Sequence, residues 1–245
     1  MPLASHVSLQ LARFTTLRTS TDVDLSVAPD ALFLNVAADV RAAATDLASR
    51  QAFVFLLFGL HADADSAHRA IEAGTQIAPF LSEAAESWHA VLKPFRHAGE
   101  ANFLSEQEPG PLFDVRESQP DTSQPIVVLT SAGYHLGPDL DMQRVRDFGT
   151  GVLGVRASMT GLSGLTAQHS FFFPDVLRQD ALTVTIWRDF AAMRDFAYGP
   201  GSHRRQLDRH KAASMVDRTS FTRCTIERST GTWYGWSPEA RALTG

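Results

Sequence analysis

Two segments of this chain share one pattern: an apolar, strand-like run that reaches an aspartate and passes into an alanine-rich helix. Leu57–Ala70 has the sequence LFGLHADADSAHRA and Thr183–Phe196 has the sequence TVTIWRDFAAMRDF. After a break, each is followed by a further strand with an aromatic residue, Trp88 in the first half and Phe221 in the second. Strand–helix–strand units that occur twice per half are typical of ferredoxin-like βαββαβ folds. The repeat therefore predicts an α+β protein made of two tandem ferredoxin-like halves.

The polar, proline-containing stretch between the halves predicts the domain boundaries. We expect an N-terminal half at residues 1–104, a linker at 105–124, a C-terminal half at 125–235 and a tail at 236–245. Proline and polar residues cluster in the linker, as is usual where regular structure is interrupted. Two ferredoxin-like halves can pack their sheets face to face and enclose an apolar space.

Four segments matter for the position of candidate site residues. Ala28–Ser49 is rich in alanine, leucine and valine and predicts a mostly helical segment, although Ala31–Val36 alone could form a short strand. Leu140–Phe148 predicts a helix, and Gly151–Met159 predicts a glycine-rich strand. Thr160–Asp180 has no clear period, and a loop of that length in a compact domain is often functional.

The overall composition narrows the functional class. Hydrophobic residues make up 44% of the 245 residues and charged residues 20%, which is enough apolar material for a core. The net charge is −5 without a basic block, so the sequence does not predict nucleic-acid binding. No apolar run reaches the roughly 18–20 residues that span a bilayer. With a single cysteine and no evident secretion signal, we expect a soluble cytoplasmic protein without stable membrane insertion.

A Gly-Pro-Gly-Ser-His break at Gly199–His203 places a histidine at the start of a predicted helix, close to arginines. A neutral imidazole is a good ligand for haem iron. Arg204, Arg205 and Arg209 follow His203, and guanidinium groups pair with carboxylates such as the haem propionates. A solvated histidine and a solvated basic face are the alternative interpretation.

A second set of candidates lies in the glycine-rich segment and in the predicted loop that follows it. On a strand, Arg156 and Ser158 would point to one face and could bind an oxygen of a substrate. His169 precedes the aromatic run Phe171–Phe173 and could act as an acid or base. An outward polar face is the alternative for the first pair, and a core or interface position is the alternative for the aromatic run. We expect Phe171–Phe173 to cover either a pocket mouth or a subunit interface.

Several segments resemble the spheroidene monooxygenase family. They are Thr183–His210, with its strand, Ala/Met-rich helix and break; Glu83–Pro94 (EAAESWHAVLKP); Pro125–Thr130 (PIVVLT); and Gly231-Thr232-Trp233. The resemblance implies a dimeric α/β-barrel fold, a haem b cofactor and His203 as the axial iron ligand. This chain departs from the family by a shortening around Thr19–Asp30 and by an insertion at Gly161–Asp180, so carotenoid oxidation is not carried over.

These observations predict a haem-dependent oxidoreductase, a monooxygenase acting on an apolar or amphipathic small molecule. Two alternatives remain: a haem-dependent lyase of the aldoxime dehydratase type, and a non-enzymatic protein that binds haem or a lipophile. The expected partners are the apolar substrate, an electron donor and a second copy of the chain. The sequence has no H-E-x-x-H motif, nucleophile elbow or phosphate-binding loop, so it lacks the local signatures of zinc, hydrolase and nucleotide chemistry.

Overall fold

A computed structural model describes most of the chain. The described residues are 3–20, 22–39, 51–103, 110–113, 115, 121, 123–135, 140–173, 180–199, 201, 205 and 215–237. Within them, no helix is long and apolar enough to cross a membrane.

Among the described residues, eight strands and four helices carry the architecture. The strands are β1 (His6–Thr19), β2 (Ala31–Asp39), β3 (Gln51–His61), β4 (Glu86–Gly99), β5 (Ile126–Gly133), β6 (Leu165–Phe172), β7 (Ala181–Trp187) and β8 (Arg218–Gly231). The helices are α1 (Ala64–Glu72), α2 (Gly74–Ile77), α3 (Met142–Met159) and α4 (Phe190–Tyr198). Short 3-10 turns at Leu25–Val27 and Pro79–Glu83 complete the regular structure of the described residues.

All eight strands close into one antiparallel barrel in the order β1-β3-β2-β6-β7-β5-β8-β4. The N-terminal half contributes the strands in the order β4-β1-β3-β2, and the C-terminal half contributes them in the order β8-β5-β7-β6. Counted within its own half, each sheet has the order 4-1-3-2: the fourth strand pairs with the first, and the third lies between the first and the second. That order belongs to the ferredoxin-like unit, and the two units meet at the β4–β8 and β2–β6 pairs. The prediction of an α+β protein with two tandem ferredoxin-like halves is confirmed.

The aspartate that both copies of the sequence repeat contain marks the start of a helix in each half. Asp63 accepts a hydrogen bond from the Ser66 amide at the start of α1, and Asp189 accepts one from the Ala192 amide at the start of α4. An N-cap aspartate satisfies an amide that has no partner within the helix. The two caps occupy equivalent positions in the aligned segments, so the helix that follows the third strand of each half begins by the same local device.

Side chains fill the interior of the barrel. One apolar cluster draws buried residues from all eight strands, which places it inside the closed sheet. Phe33, Phe58, Phe103 and Phe173 pack ring against ring there, with centroids 5.3–6.1 Å apart. Cys224 is also buried inside, and burial raises the pKa of its thiol. The two sheets therefore enclose a packed core instead of an open apolar space.

Two further clusters lie on the outer faces of the sheet. In the N-terminal half, Phe14, Phe55 and Leu57 pack with Ile77 and Leu81. In the C-terminal half, Phe95, Ile126 and Trp187 pack with Met159 of α3 and Met193 of α4. The helices are thus held on the outside of the barrel.

Three local predictions are wrong, all for one reason. Ala31–Asp39 is a strand, as the short-strand alternative has it, and the end of the predicted 28–49 helix, residues 40–49, lies outside the described residues. Gly151–Met159 is the second half of α3, because its partly buried positions recur every three to four residues. Part of the predicted 160–180 loop is β6. Mixed apolar and small residues suit either a helix or a strand, and tertiary packing decides between them.

The predicted role of the phenylalanine run is also wrong. Phe171 and Phe173 are 0% and 1% exposed and point into the barrel core, while Phe172, on the other face of β6, is partly exposed. Phe171 and Phe173 therefore belong to the barrel core, as the core alternative for the aromatic run has it, and do not cover a pocket mouth.

A buried histidine under α1 makes the fold sensitive to acid. His61 is 0% exposed, and its two ring nitrogens lie 2.8 Å from Ser8 Oγ and 2.9 Å from Ser66 Oγ. Burial lowers the pKa of His61 to about 4 from its ordinary 6.5. The unfolded chain therefore takes up a proton near pH 6.5, whereas the folded chain does so only near pH 4.

We expect the free energy of unfolding to fall by about 2 kcal/mol between pH 7 and pH 5 on account of His61, since each pKa unit is worth about 1.4 kcal/mol. The decrease should level off below the folded pKa. Urea titrations at both pH values, compared between the parent protein and His61→Gln, measure it. The variant should lose this part of the pH dependence, and His135→Gln, at an exposed position, is the control. An equal decrease in parent and His61→Gln would contradict the assignment.

Candidate functional site at the barrel mouth

Barrel closure brings a carboxylate and an imidazole together at one mouth of the barrel. Asp39 is the last residue of β2, and His169 lies on the neighbouring strand β6. His169 Nδ1 lies 2.9 Å from Asp39 Oδ2, and the two residues are 2% and 4% exposed. His169 alternates with Ala167 and Phe171 along β6, so its side chain faces the inside of the barrel.

The second nitrogen of His169 contacts an indole, which determines the tautomer. Trp233, two residues beyond the end of β8 and 0% exposed, has its Nε1 3.3 Å from His169 Nε2. An indole N–H can only donate a hydrogen bond. His169 Nε2 must therefore accept, and the Nδ1–H donates to Asp39. The three residues form one directed chain of hydrogen bonds around a neutral imidazole.

A guanidinium group approaches the carboxylate from the other side. Arg156 Nη2 lies 3.9 Å from Asp39 Oδ1, and the Arg156 side chain is 12% exposed. Arg156 is near the end of α3, whose C-terminal residues contact β6. The buried carboxylate is therefore held between an imidazole and a cation, as a buried charge requires.

Two cavities meet at this network. The larger has a volume of about 440 Å³ and a mixed wall that includes Arg156, Met159, Thr160 and Leu165. The smaller, of about 290 Å³, is lined by residues that include Arg13, Asp39 and Phe53. His169 and Tyr234 line both. Volumes in this range suit small organic molecules.

The loop that carries Trp233 and Tyr234 is tied to the start of β4. Glu86 Oε1 accepts hydrogen bonds from Thr232 Oγ1 and the Gly235 amide, each at 3.1 Å. Its other oxygen accepts from Arg13 Nε and Nη2 at 3.1 and 2.8 Å. Burial works against ionisation, but these hydrogen bonds together lower the pKa of Glu86. The carboxylate is thus charged at neutral pH and fixes the loop over His169.

Of the three predicted catalytic residues, two lie close together in this structure and the third lies apart. Arg156 and His169 meet at Asp39, although the strand that would have carried Arg156 and Ser158 is a helix. Because residues two apart on a helix do not share a face, Ser158 is directed away from Arg156. Its hydroxyl is exposed and donates to the Val155 carbonyl oxygen at 2.7 Å. Arg156 and His169 therefore lie together at the candidate site, whereas the Ser158 hydroxyl bonds within its own helix; the catalytic role of all three stays a prediction.

The predicted haem-binding residues lie almost wholly outside the described part of the chain. His203, Arg204 and Arg209 are among the residues that the structure does not describe. Arg205 is exposed, and its amide donates to the Gly201 carbonyl oxygen at 3.1 Å. The role of these four residues stays a prediction.

Three members of the site were not assigned a role from sequence. Asp39 lies in a segment that the sequence predicts to be helical, so its position at the end of a strand could not be predicted. Trp233 stands in the Gly-Thr-Trp motif that supports the family resemblance, but no pattern indicates that it contacts an imidazole. Tyr234 has no sequence signal apart from Gly235 after it, which is common in tight turns.

Among the described residues, no His, Cys, Asp and Glu side chains form a group of three that could hold a bare metal ion. A haem iron, in contrast, needs only one side-chain ligand from the protein. Within the described residues, the only imidazole that lines the two cavities is that of His169, and both of its nitrogens already have partners. The described cavity walls therefore present no free imidazole to a haem iron.

Similarities to known proteins lie in the fold alone. No protein-family model matches the chain, and no curated protein matches it. An aldoxime dehydratase in complex with butyraldoxime superimposes with a TM-score of 0.50 and 10% identity, covering 92% of this chain and 80% of that one. A second aldoxime dehydratase gives 0.50 and 9%, covering 91% and 82%. A candidate monooxygenase from Fusobacterium nucleatum covers 95% and 96% with 8% identity, but its TM-score of 0.40 supports no conclusion.

The specific resemblance to spheroidene monooxygenases accordingly remains a prediction. The superpositions on the two aldoxime dehydratases and the strand order of this chain agree on the architecture only. This chain therefore has the fold of those proteins, an α+β barrel made of two ferredoxin-like halves.

Proposed function

We propose that this protein is an enzyme of the haem-dependent oxidoreductase and lyase type, which acts on a small apolar or amphipathic molecule at the barrel mouth. The observation that carries the proposal is the buried chain Asp39–His169–Trp233, with Arg156 beside it, at the junction of two cavities. A buried histidine whose tautomer is fixed on one side by a carboxylate is typical of proton-transfer sites.

The chain's own residues have distinct tasks in this proposal. His169 exchanges a proton at Nε2 once the Trp233 N–H yields to the substrate, and Asp39 stabilises the imidazolium that forms. Arg156 binds an oxygen atom or anionic group of the substrate. Met159 and Leu165 contact its apolar part and exclude water from the reacting atoms.

Haem b remains the proposed cofactor, with His203 as the iron ligand and Arg204, Arg205 and Arg209 as partners of its propionates. The resemblance of the Gly199–His203 break supports it, and the described cavity walls do not add an iron ligand. When bound, the haem would supply either oxygen activation or a Lewis-acidic iron.

The dehydratase alternative has a specific point in its favour. Loss of water from a substrate needs a proton for the leaving hydroxyl but neither oxygen nor an electron donor. The Asp39–His169 pair supplies the proton-transfer part of such a reaction. The superposition on aldoxime dehydratases adds only that the fold is compatible with it.

A haem-binding experiment tests the cofactor. Protein expressed with iron and a haem precursor should show a Soret band. His203→Ala should lose most of the haem or shift the band while remaining folded, whereas His169→Ala should keep it, since His169 is engaged with Asp39 and Trp233. Retention of an unchanged spectrum by His203→Ala would reject this residue as the ligand.

Turnover then separates the reactions. Consumption of oxygen or peroxide with an apolar substrate indicates a monooxygenase, and conversion of an alkyl aldoxime to a nitrile without oxygen indicates a dehydratase. A folded, haem-loaded protein without turnover on either panel would favour a haem carrier and contradict the proposed catalysis.

A further inference from the structure

We propose that Tyr234 is a specificity-determining residue, a partition between the two cavities that limits each to one lobe of a ligand. This inference rests on the proposed function for its site, but it concerns binding and not chemistry. It predicts that removal of the ring lets one two-lobed, anionic aromatic compound occupy both cavities at once.

The first observation is the backbone of Tyr234. Its φ of +51° and the φ of +71° at Gly235 are both left-handed. The Trp233 and Trp236 amides and carbonyls bond reciprocally across these two residues at 2.8 and 3.0 Å, which makes a tight two-residue turn. Such turns favour asparagine, aspartate or glycine, and a bulky aromatic residue is unusual in the first position. The surroundings therefore hold Tyr234 in an unfavourable conformation.

The second observation is that burial does not explain the choice of tyrosine. Tyr234 is 55% exposed, so more than half of the surface of this residue remains in water. The ring lies almost parallel to the imidazole of His169, at 9° with 6.1 Å between centroids. On the other side, the Arg13 guanidinium lies 5.1 Å from the ring centroid. The side chain thus occupies one defined position at the site, where both cavities have it as a wall.

The third observation is the fastening of the loop. Glu86 binds Gly235 and Thr232 on one oxygen and Arg13 on the other, so the residues on both sides of Tyr234, and the cation over its ring, share one carboxylate. A backbone conformation that is unfavourable for its residue, held by neighbouring contacts at a site, is a reason to look for a role in function. Here the role is to keep the ring between the cavities.

The chemistry of the walls indicates the class of ligand. Arg156 lines the larger cavity and Arg13 the smaller, while Met159, Leu165 and Phe53 supply apolar surface. Aromatic or apolar bodies with an anionic group fit each cavity. With Tyr234 in place, a compound with one such lobe binds in one cavity, and a compound that spans both is excluded.

Two dyes of matched chemistry test the inference. Anilinonaphthalene sulfonate (ANS) has one anionic aromatic lobe, and bis-ANS is its covalent dimer. Binding is followed by fluorescence titration on the full chain for the parent protein, Tyr234→Gly and Tyr234→Phe. We expect Tyr234→Gly to bind bis-ANS at least about tenfold more tightly than the parent, while its affinity for ANS stays within about twofold. Tyr234→Phe should behave as the parent, because the ring and not the hydroxyl separates the cavities.

Two controls keep the result specific. Arg156→Met in the Tyr234→Gly background should abolish the gain for bis-ANS, which locates the dye at this site. Circular dichroism and thermal unfolding should show a folded Tyr234→Gly, and Tyr234→Asn, which also accepts the left-handed conformation, is the second variant if glycine does not fold.

Equal bis-ANS affinities in parent and Tyr234→Gly, or a gain that survives Arg156→Met, would overturn the inference. Failure of the proposed function appears elsewhere, as absence of haem or of turnover with the bis-ANS result intact.

Discussion

Replacing Arg218 by leucine is expected to lower the free energy of unfolding by about 3–5 kcal/mol, the largest stability loss that we predict for a single substitution. Arg218 Nε lies 2.7 Å from Asp180 Oδ1, and the side chains are 6% and 0% exposed. Arg218 Nη1 also donates to the Tyr134 carbonyl oxygen at 2.9 Å, and the Asn102 amide donates to Asp180 at 2.9 Å. Without the guanidinium, Asp180 would keep a buried charge with one hydrogen bond from Asn102.

Urea unfolding at neutral pH measures this loss, and a surface pair provides the matched control. Arg69 and Asp30 lie 2.8 Å apart but are 57% and 63% exposed, so Arg69→Leu should cost less than about 1 kcal/mol. Burial already raises the pKa of Asp180, against the hydrogen bonds from Asn102 and Arg218. The Arg218→Leu deficit should therefore shrink as the pH falls and Asp180 takes up a proton. Similar costs for the two variants would show that the buried pair contributes no more than the exposed one.

Replacing Asp39 by asparagine is expected to reduce turnover by about a hundredfold to ten-thousandfold, the usual range for a positioned proton-transfer group. The reason is the direction of the hydrogen bonds. Arg156 can only donate, so the amide oxygen of the new residue should turn toward it and the NH₂ group toward His169. The imidazole would then carry its proton on Nε2, where it meets the Trp233 N–H as donor against donor.

The tautomer gives a readout that does not need the substrate. The nitrogen NMR shifts of His169 should report a proton on Nδ1 in the parent protein and on Nε2 in Asp39→Asn. Trp233→Phe removes the competing donor, so the double variant should relieve the donor–donor contact and recover part of the stability lost by Asp39→Asn. Asp30→Asn, at the protein surface, is the control for loss of a carboxylate. An unchanged tautomer in Asp39→Asn would refute the directed chain of hydrogen bonds.

Patterns along the chain were sufficient to predict the fold class, because the same helix caps and strand patterns occur in both halves. Asp63 and Asp189 cap helices that follow strands of similar pattern, and the alternation of Val7, Leu9 and Leu11 identifies the inward face of β1. These features depend on neighbours in sequence, since capping and alternation act within a few residues. They predict the two ferredoxin-like halves, but they do not predict which strands pair between the halves.

The site could be predicted only in part. Arg156 and His169 were identified by residue type, but Arg156 was placed on a strand that proved to be the end of α3. Glycine and valine at Gly151–Val155 fit either structure, and the packing of Val155 and Met159 on the outer face of the sheet selects the helix. No sequence pattern indicates Asp39 as a site residue, because the composition of its segment predicts a helix.

The sequence by itself determined the elements that arise from short-range order: alternating strands, aspartate-capped helices, their repetition in two halves, and a histidine and an arginine suited to chemistry. Only the tertiary structure decided that these residues lie together. Closure of the barrel pairs the end of β2 with β6 and turns the end of β8 over them, which joins Asp39, His169 and Trp233 from distant parts of the chain. No local pattern encodes that contact, because it depends on the register of strand pairs that form only when both halves pack around one core.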